Sequence, residues 1–272
     1  MCNYSDLVSL FSSSGNFDND GFKKAIEAGC QDMTVRTMKK KVSATITRVE
    51  LRDYLCDNKN YPGGNSLLTL LTNYFNGPAK DEADYDTWHD KACQAVLSCL
   101  NVFYLPESVT YGKAQKVVNI AIKNIFCLNG AQIYYNNHYF DHCHMALDSF
   151  TLEWVYRKTK GTVYNNEKIT RDNFVSWSNI TNKQNKNANR KTVLSYQDIQ
   201  NLIRTIDTNG LTPFEAEFYV WRQMLQTIAA EALFDSDLGG MKRDQFKKMP
   251  LNYKIGTLTN LLQKVNYSYY LI

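Results

Sequence analysis

The run 112–126 restricts what this chain can become more than any other part of it. On a helix turning roughly 100° per residue, Gly112, Lys116, Asn119 and Lys123 fall within about 60° of one another. Val117, Val118, Ile120, Ile122, Ile125 and Phe126 cover nearly all the remaining surface. A helix this apolar must be covered on most sides, so the pattern predicts a central, largely buried element with one polar stripe. Burying a lysine is costly unless the amine is paired or uncharged, and an amine that sheds its proton easily is a nucleophile. A second segment, His144-Met145-Ala146-Leu147-Asp148-Ser149, sets a carboxylate into apolar surroundings. Lys116 and Asp148 are therefore the two charged groups whose placement most needs explaining.

Length and composition bound the alternatives. A chain of 272 residues can bury a full core, in one large domain or two small lobes. No apolar run approaches the roughly 18 residues of a membrane span, so no membrane partner is expected. The start, Met1-Cys2-Asn3-Tyr4-Ser5-Asp6, lacks the basic residues and apolar core of a secretory signal. Seven cysteines without a C-x-x-C pair suit a reducing compartment. A cytoplasmic monomer is the expectation. Net charge is only +4, yet Arg36, Lys39, Lys40, Lys41 and Arg48 cluster in one segment and Lys183, Lys186, Arg190 and Lys191 in another. Either cluster can line a phosphate-facing surface or form a solvated face.

Helical patterns dominate the chain. Amphipathic stretches run from Asp18 to Ala28 and from Thr87 to Phe103, and Ser66 caps a helix over 67–75. Ser195 caps another to about Ile206. Thr212-Pro213-Phe214-Glu215 combines an N-cap, a proline at the first helical position and a glutamate three residues on, predicting a helix to Phe234. Val42 to Val49 reads as a short strand or as part of a basic helix. The Asn- and Lys-rich run from Ile180 to Arg190 has no periodicity. The expected fold class is all-α: a helical region over 1–180 carrying the Leu105-to-Gly112 hairpin and the segments of Lys116 and Asp148, a mobile linker over 181–191, and a C-terminal helical portion over 192–272 packing back on the first, with a cleft between two lobes.

Several chemistries can be weighed on the residues. His142, Cys143, His144 and Asp148 are of metal-ligand type, but His89 and His138 are too loosely placed to complete a set, and no metal or other cofactor is expected. Cys143 beside two histidines is a second nucleophile candidate, although sequence neighbours seldom face one another. No G-x-G-x-x-G or G-x-x-x-x-G-K-[ST] string occurs, which leaves phosphoryl transfer without support.

The segment from His144 to Leu152 resembles the end-piece of the helix-hairpin-helix DNA glycosylase superfamily, in which an apolar residue precedes Asp-Thr or Asp-Ser at a helix start. Leu105-Pro106 through Gly112, leading into the Lys116 helix, is similar to that superfamily's hairpin. Lys116 and Asp148 lie 32 residues apart. That spacing and the Gln115-Lys116 pair are similar to the archaeal 8-oxoguanine DNA glycosylase/AP lyase branch. The likeness spans 105–152. It departs from the family's Leu-Pro-Gly-Val-Gly at Glu107-Ser108-Val109-Thr110-Tyr111, and Ala146 stands where a proline is common.

What the resemblance implies is excision of an oxidised or otherwise modified base from DNA by base flipping. Lys116 would attack the sugar and form a Schiff base, and Asp148 would stabilise the cationic transition state. Gly112, Lys113 and Lys123 would hold the DNA backbone. Trp154, Trp177 and Trp221 are candidates to stack on a flipped base. Two other classes fit the same residues: a nucleic-acid-binding or phage-defence module that keeps the fold without catalysis, and a helical protein-interaction domain.

Overall fold

A computed structural model describes residues 3–11, 14–33, 38–41, 46–62, 64–186 and 191–235. They are predominantly helical. Ten α-helices are described: α1 (Tyr4–Ser9), α2 (Asn19–Asp32), α3 (Arg48–Cys56), α4 (Leu67–Asn76), α5 (Glu82–Phe103), α6 (Tyr111–Phe126), α7 (Gln132–Asn136), α8 (Ser149–Thr159), α9 (Tyr196–Arg204) and α10 (Pro213–Asp235). Two antiparallel hairpins complete the set, β1 (Val163–Tyr164) with β2 (Glu167–Lys168) and β3 (Asn185–Lys186) with β4 (Thr192–Val193). No described helix is long and apolar enough to cross a membrane. The chain divides into a unit of Met1–Tyr219 and a unit of Val220–Ile272, and the described part of the second, to Asp235, is helical.

Capping chemistry sets most helix starts. The Asp18, Ser66, Asp81, Thr110, Asp148 and Ser195 side chains each accept a hydrogen bond from a first-turn amide, satisfying a donor the helix cannot. Asp81 explains why α5 begins at Glu82, ahead of the apolar periodicity that starts near Thr87. From Ile46 onward the chain does not extend as a strand: Thr47 and Glu50 form a reciprocal capping box, and α3 opens at Arg48. Val42, Arg36 and Arg190 lie outside the described residues, as do 187–190 and everything beyond Asp235.

Helix α6 is the axis of the larger unit. Every residue from Tyr111 to Phe126 is buried. Its closest neighbour is α2, where Gly29 meets the α6 backbone: a Cβ there would come within 2.4 Å of the Val117 carbonyl oxygen. At the far end of α6, Phe126 packs edge-on against Phe140, Phe214 and Tyr135, extending into an aromatic core with Phe75 and Tyr139. Such tilted and edge-to-face contacts add specificity to the area buried.

Because the α2–α6 approach leaves no room for a methyl group against rigid backbone, Gly29→Ala will lower stability by about 1–3 kcal/mol. A urea denaturation series checks this through a reduced midpoint with an unchanged slope.

Candidate functional site

Two helix ends bring the sequence-flagged pair together. Lys116 sits in the second turn of α6. Asp148 is the N-cap of α8, and its Oδ1 accepts hydrogen bonds from the Phe150 and Thr151 amides at 2.9 Å each. Its other oxygen, Oδ2, lies 3.4 Å from Lys116 Nζ. One carboxylate thus caps a helix and faces an amine at the same time. A second acid, Asp32 at the end of α2, comes closer still, with Oδ2 3.1 Å from the same Nζ. The Lys116 side chain is only 8% exposed, while Asp32 is 49% exposed, so the group opens to solvent on the Asp32 side.

An aromatic ring completes the surroundings. The turn Trp177–Asn179 docks on the start of α6 through Thr110 Oγ1, which donates to the Ser178 carbonyl, and through the Gly112 amide, which donates to Ile180 O at 3.0 Å. Only glycine permits this approach, because a Cβ on Gly112 would stand 1.8 Å from the Trp177 carbonyl oxygen. The turn carries the half-buried Trp177 ring to 5.2 Å from the Lys116 amine, in cation–π geometry.

Electrostatics run opposite to the expectation of an easily deprotonated lysine. Burial lowers the Lys116 pKa, but Asp148 and Asp32, by charge and by hydrogen bonds, outweigh burial and leave it raised. The groups facing the amine are acids, so the resting form is an ammonium ion. One turn earlier, Lys113 shifts the other way: burial lowers it, and its amine donates to the Ser108 carbonyl at 2.7 Å. Lys123 is a third buried case, paired with Glu217 at 2.9 Å and set over the Phe11 and Phe218 rings. The other Glu217 oxygen accepts from the Ala146 amide, two residues before Asp148.

Lys116 and Asp148 are therefore brought together, while the three residues assigned to DNA binding are not presented with them. The Gly112 amide is occupied by Ile180, and Lys113 and Lys123 are buried on internal partners. Lys39, Lys40 and Lys41 are exposed; Lys40 pairs with Tyr104 in an antiparallel bridge beside the loop that leads into α6. Trp154 is buried in α8. Cys143 is buried as well, and burial pushes its thiol up to about 12, so it carries no thiolate near neutral pH. Among the described residues, no three His, Cys, Asp or Glu side chains are grouped to hold a metal ion. Asp32 and Glu217 escaped the sequence reading. Each left a signal in hindsight: Asp32 is an acid at a helix C-terminus, where the helix dipole disfavours it, and Glu217 is an acid between buried Ala216 and Phe218.

Behind the pair lies a largely buried polar network. Gln115 Oε1 accepts from the Leu147 amide at 3.2 Å and from Asn119 Nδ2 at 2.9 Å, and Gln115 Nε2 donates to the Gly112 and Leu147 carbonyls. Asn119 also donates to Tyr196 Oη at 2.9 Å, and its own oxygen meets His89 Nε2 at 2.8 Å. Tyr196 Oη lies 3.0 Å from His144 Nδ1, and His144 Nε2 lies 2.7 Å from Asp86, which Arg204 also clamps. One assignment satisfies all of these contacts with both imidazoles neutral: His144 donates from Nε2 to Asp86 and accepts from Tyr196, and His89 donates from Nε2 to Asn119. Burial pushes both histidines below their ordinary value, and their mutual proximity lowers His89 further. Burial raises the Asp86 carboxyl, but bonds from His144 and Arg204 outweigh it and hold it below the carboxylate range. Through Gln115, the network fixes the backbone of Leu147 immediately before Asp148.

Compared with known proteins, the chain matches no family model, no curated sequence and no solved structure.

Tyr196→Phe will strand the His144 Nδ1 acceptor inside the protein and leave Asn119 Nδ2 with Gln115 and a long 3.5 Å contact to the Met145 carbonyl, costing about 1–3 kcal/mol in chemical denaturation. The histidines also set a pH dependence. Their folded pKa values lie below the unfolded 6.5, so the unfolded chain binds more protons once pH falls below that value. Stability is complete above about pH 6.5 and falls on acidification, by at most about 1.4 kcal/mol per pH unit for each histidine. Denaturation midpoints measured at neutral and mildly acidic pH check the sign.

Proposed function

We propose that this protein is a DNA glycosylase that removes a modified base by base flipping and nicks the strand through a lysine Schiff base, within a helix-hairpin-helix-like arrangement. The observation that carries the reading is the meeting of Lys116 and Asp148, 32 residues apart in the chain, at 3.4 Å beside a half-buried tryptophan. Cleaving the bond between base and sugar builds positive charge on the sugar, and a carboxylate locked by two backbone amides answers it without reorganising. Trp177 offers a stacking surface for the everted base, and the half-exposed Asp32 marks the side from which the nucleotide enters.

The protonation state of Lys116 fixes the order of steps. The C1′–N bond breaks with its electron pair going to the base. The ammonium gives the departing base a proton, and the freed amine bonds C1′. Asp148 then takes a proton from the new C1′–N adduct and passes it to O4′ as the C1′–O4′ bond opens, which leaves a protonated imine at C1′. The Asp148 carboxylate, restored by that transfer, takes a C2′ proton, and the electron pair forms the C2′=C3′ bond as the C3′–O bond breaks, expelling the 3′ phosphate and nicking the strand. The target is an oxidised or bulkier modified base, and the resting ion pair keeps the nucleophile inactive until a substrate supplies the proton acceptor.

A second reading draws on two observations. The salt-bridged ammonium and the occupied Gly112 amide suit a module that binds nucleic acid without chemistry. Borohydride trapping on duplexes carrying single modified bases or an abasic site separates the two. The wild type will form a covalent adduct that maps to Lys116. Lys116→Gln will lose it, and Asp148→Asn, which preserves the helix cap, will reduce base release on the order of 10²–10⁴-fold. Salt-dependent binding with no adduct on any base would favour the non-catalytic module. An adduct on Lys113 would overturn the assignment of the nucleophile.

A further inference from the structure

We propose that Asp32 is a positioning residue for Lys116, holding its amine between two carboxylates and setting the pH at which that amine becomes reactive. The inference rests on the reading of Lys116 as a nucleophile, but its geometry stands by itself. The 3.1 Å contact to Asp32 is shorter than the 3.4 Å contact to Asp148. The two acids arrive from different elements, the last turn of α2 and the first of α8. At the end of α2, Asp32 opposes the helix dipole, and the Lys116 cation offsets that cost.

The division of labour follows from exposure and bonding. Asp148 spends Oδ1 on the α8 cap and is held rigidly. Asp32 is half-exposed and meets the amine from the solvent side. Among the described residues, the two acids that contact the amine are Asp32 and Asp148, while the Trp177 turn supplies a ring. From α5, Asp90 bonds Tyr111 and His89 bonds Asn119. Removing Asp32 leaves Asp148 alone against the burial of the amine, so the ammonium form loses part of its stabilisation and the free amine appears at lower pH. Holding the amine protonated in the free protein also guards it against adventitious aldehydes.

The test reads Lys116 directly, in the full chain and without DNA. Acylation by a water-soluble acetylating ester is followed across a pH series by mass spectrometry of the Lys116 peptide, with exposed Lys24 as internal reference. In Asp32→Asn, the reactivity profile of Lys116 relative to Lys24 will move to lower pH, with modification roughly threefold to tenfold faster under mildly alkaline conditions. Asp32→Glu will restore most of the wild-type profile, and the unfolding midpoint of both variants will fall only slightly, because Asp32 itself is half-exposed and Asp148 still pairs the amine. An unchanged Lys116 profile in Asp32→Asn overturns the proposal, as does an equal shift in Asp32→Glu. Borohydride trapping on abasic DNA, run in parallel, is independent: its absence in all variants counts against the glycosylase reading, while the acylation profile still decides the role of Asp32.

Discussion

The larger unit depends on burying α6 without leaving its polar groups unpaired. An apolar helix enclosed on all sides is stable only if each polar side chain on it finds a partner. Here Lys113 reaches a carbonyl, Lys116 two carboxylates, Lys123 a glutamate, and Gln115 and Asn119 a chain of neutral donors and acceptors. Since an unpaired buried charge costs several kcal/mol, the elements supplying these partners are held in register by α6 as firmly as by apolar packing. The N-terminus of α8, the end of α2, the Trp177 turn and the start of α10 are positioned in this way.

The polar stripe performs two different tasks along its length. The neutral part, from Gln115 through Asn119 to Tyr196 and the two imidazoles, has every donor matched to an acceptor and so works as a rigid scaffold. The charged part at Lys116 is only partly enclosed, with a half-exposed acid on one side and an aromatic ring on the other. Rigid support beneath a partly open charged cluster is the arrangement from which preorganised chemistry operates. Lys123 and Glu217, sealed among phenylalanine rings, have the same chemical groups without that opening and serve as structure.

Charge partners, more than burial, decide what Lys116 is at rest. Desolvation by itself would favour a free amine, as it does at Lys113, whose partner is a neutral carbonyl. Two nearby carboxylates reverse the sign. The same logic separates the cysteines from reactivity: Cys143 and Cys127 are buried without enough positive charge to hold a thiolate, and both thiols are pushed up to about 12.

Sequence alone determined the local features, because those depend on a few neighbouring residues. The helix over 111–126 follows from its apolar circumference, the caps at Ser66, Ser195 and Asp148 from side chains reaching their own first-turn amides, and the prominence of Lys116 and Asp148 from charges set in apolar runs. Tertiary structure decided what those charges meet. Neither Asp32 nor Glu217 carries a spacing that ties it to α6, and the Gly112 amide is claimed by Ile180, far along the chain. Such partners are chosen by which helix faces pack together. The direction of the Lys116 pKa shift was therefore invisible in the sequence, since it depends on charges a few ångströms away in space and distant along the chain.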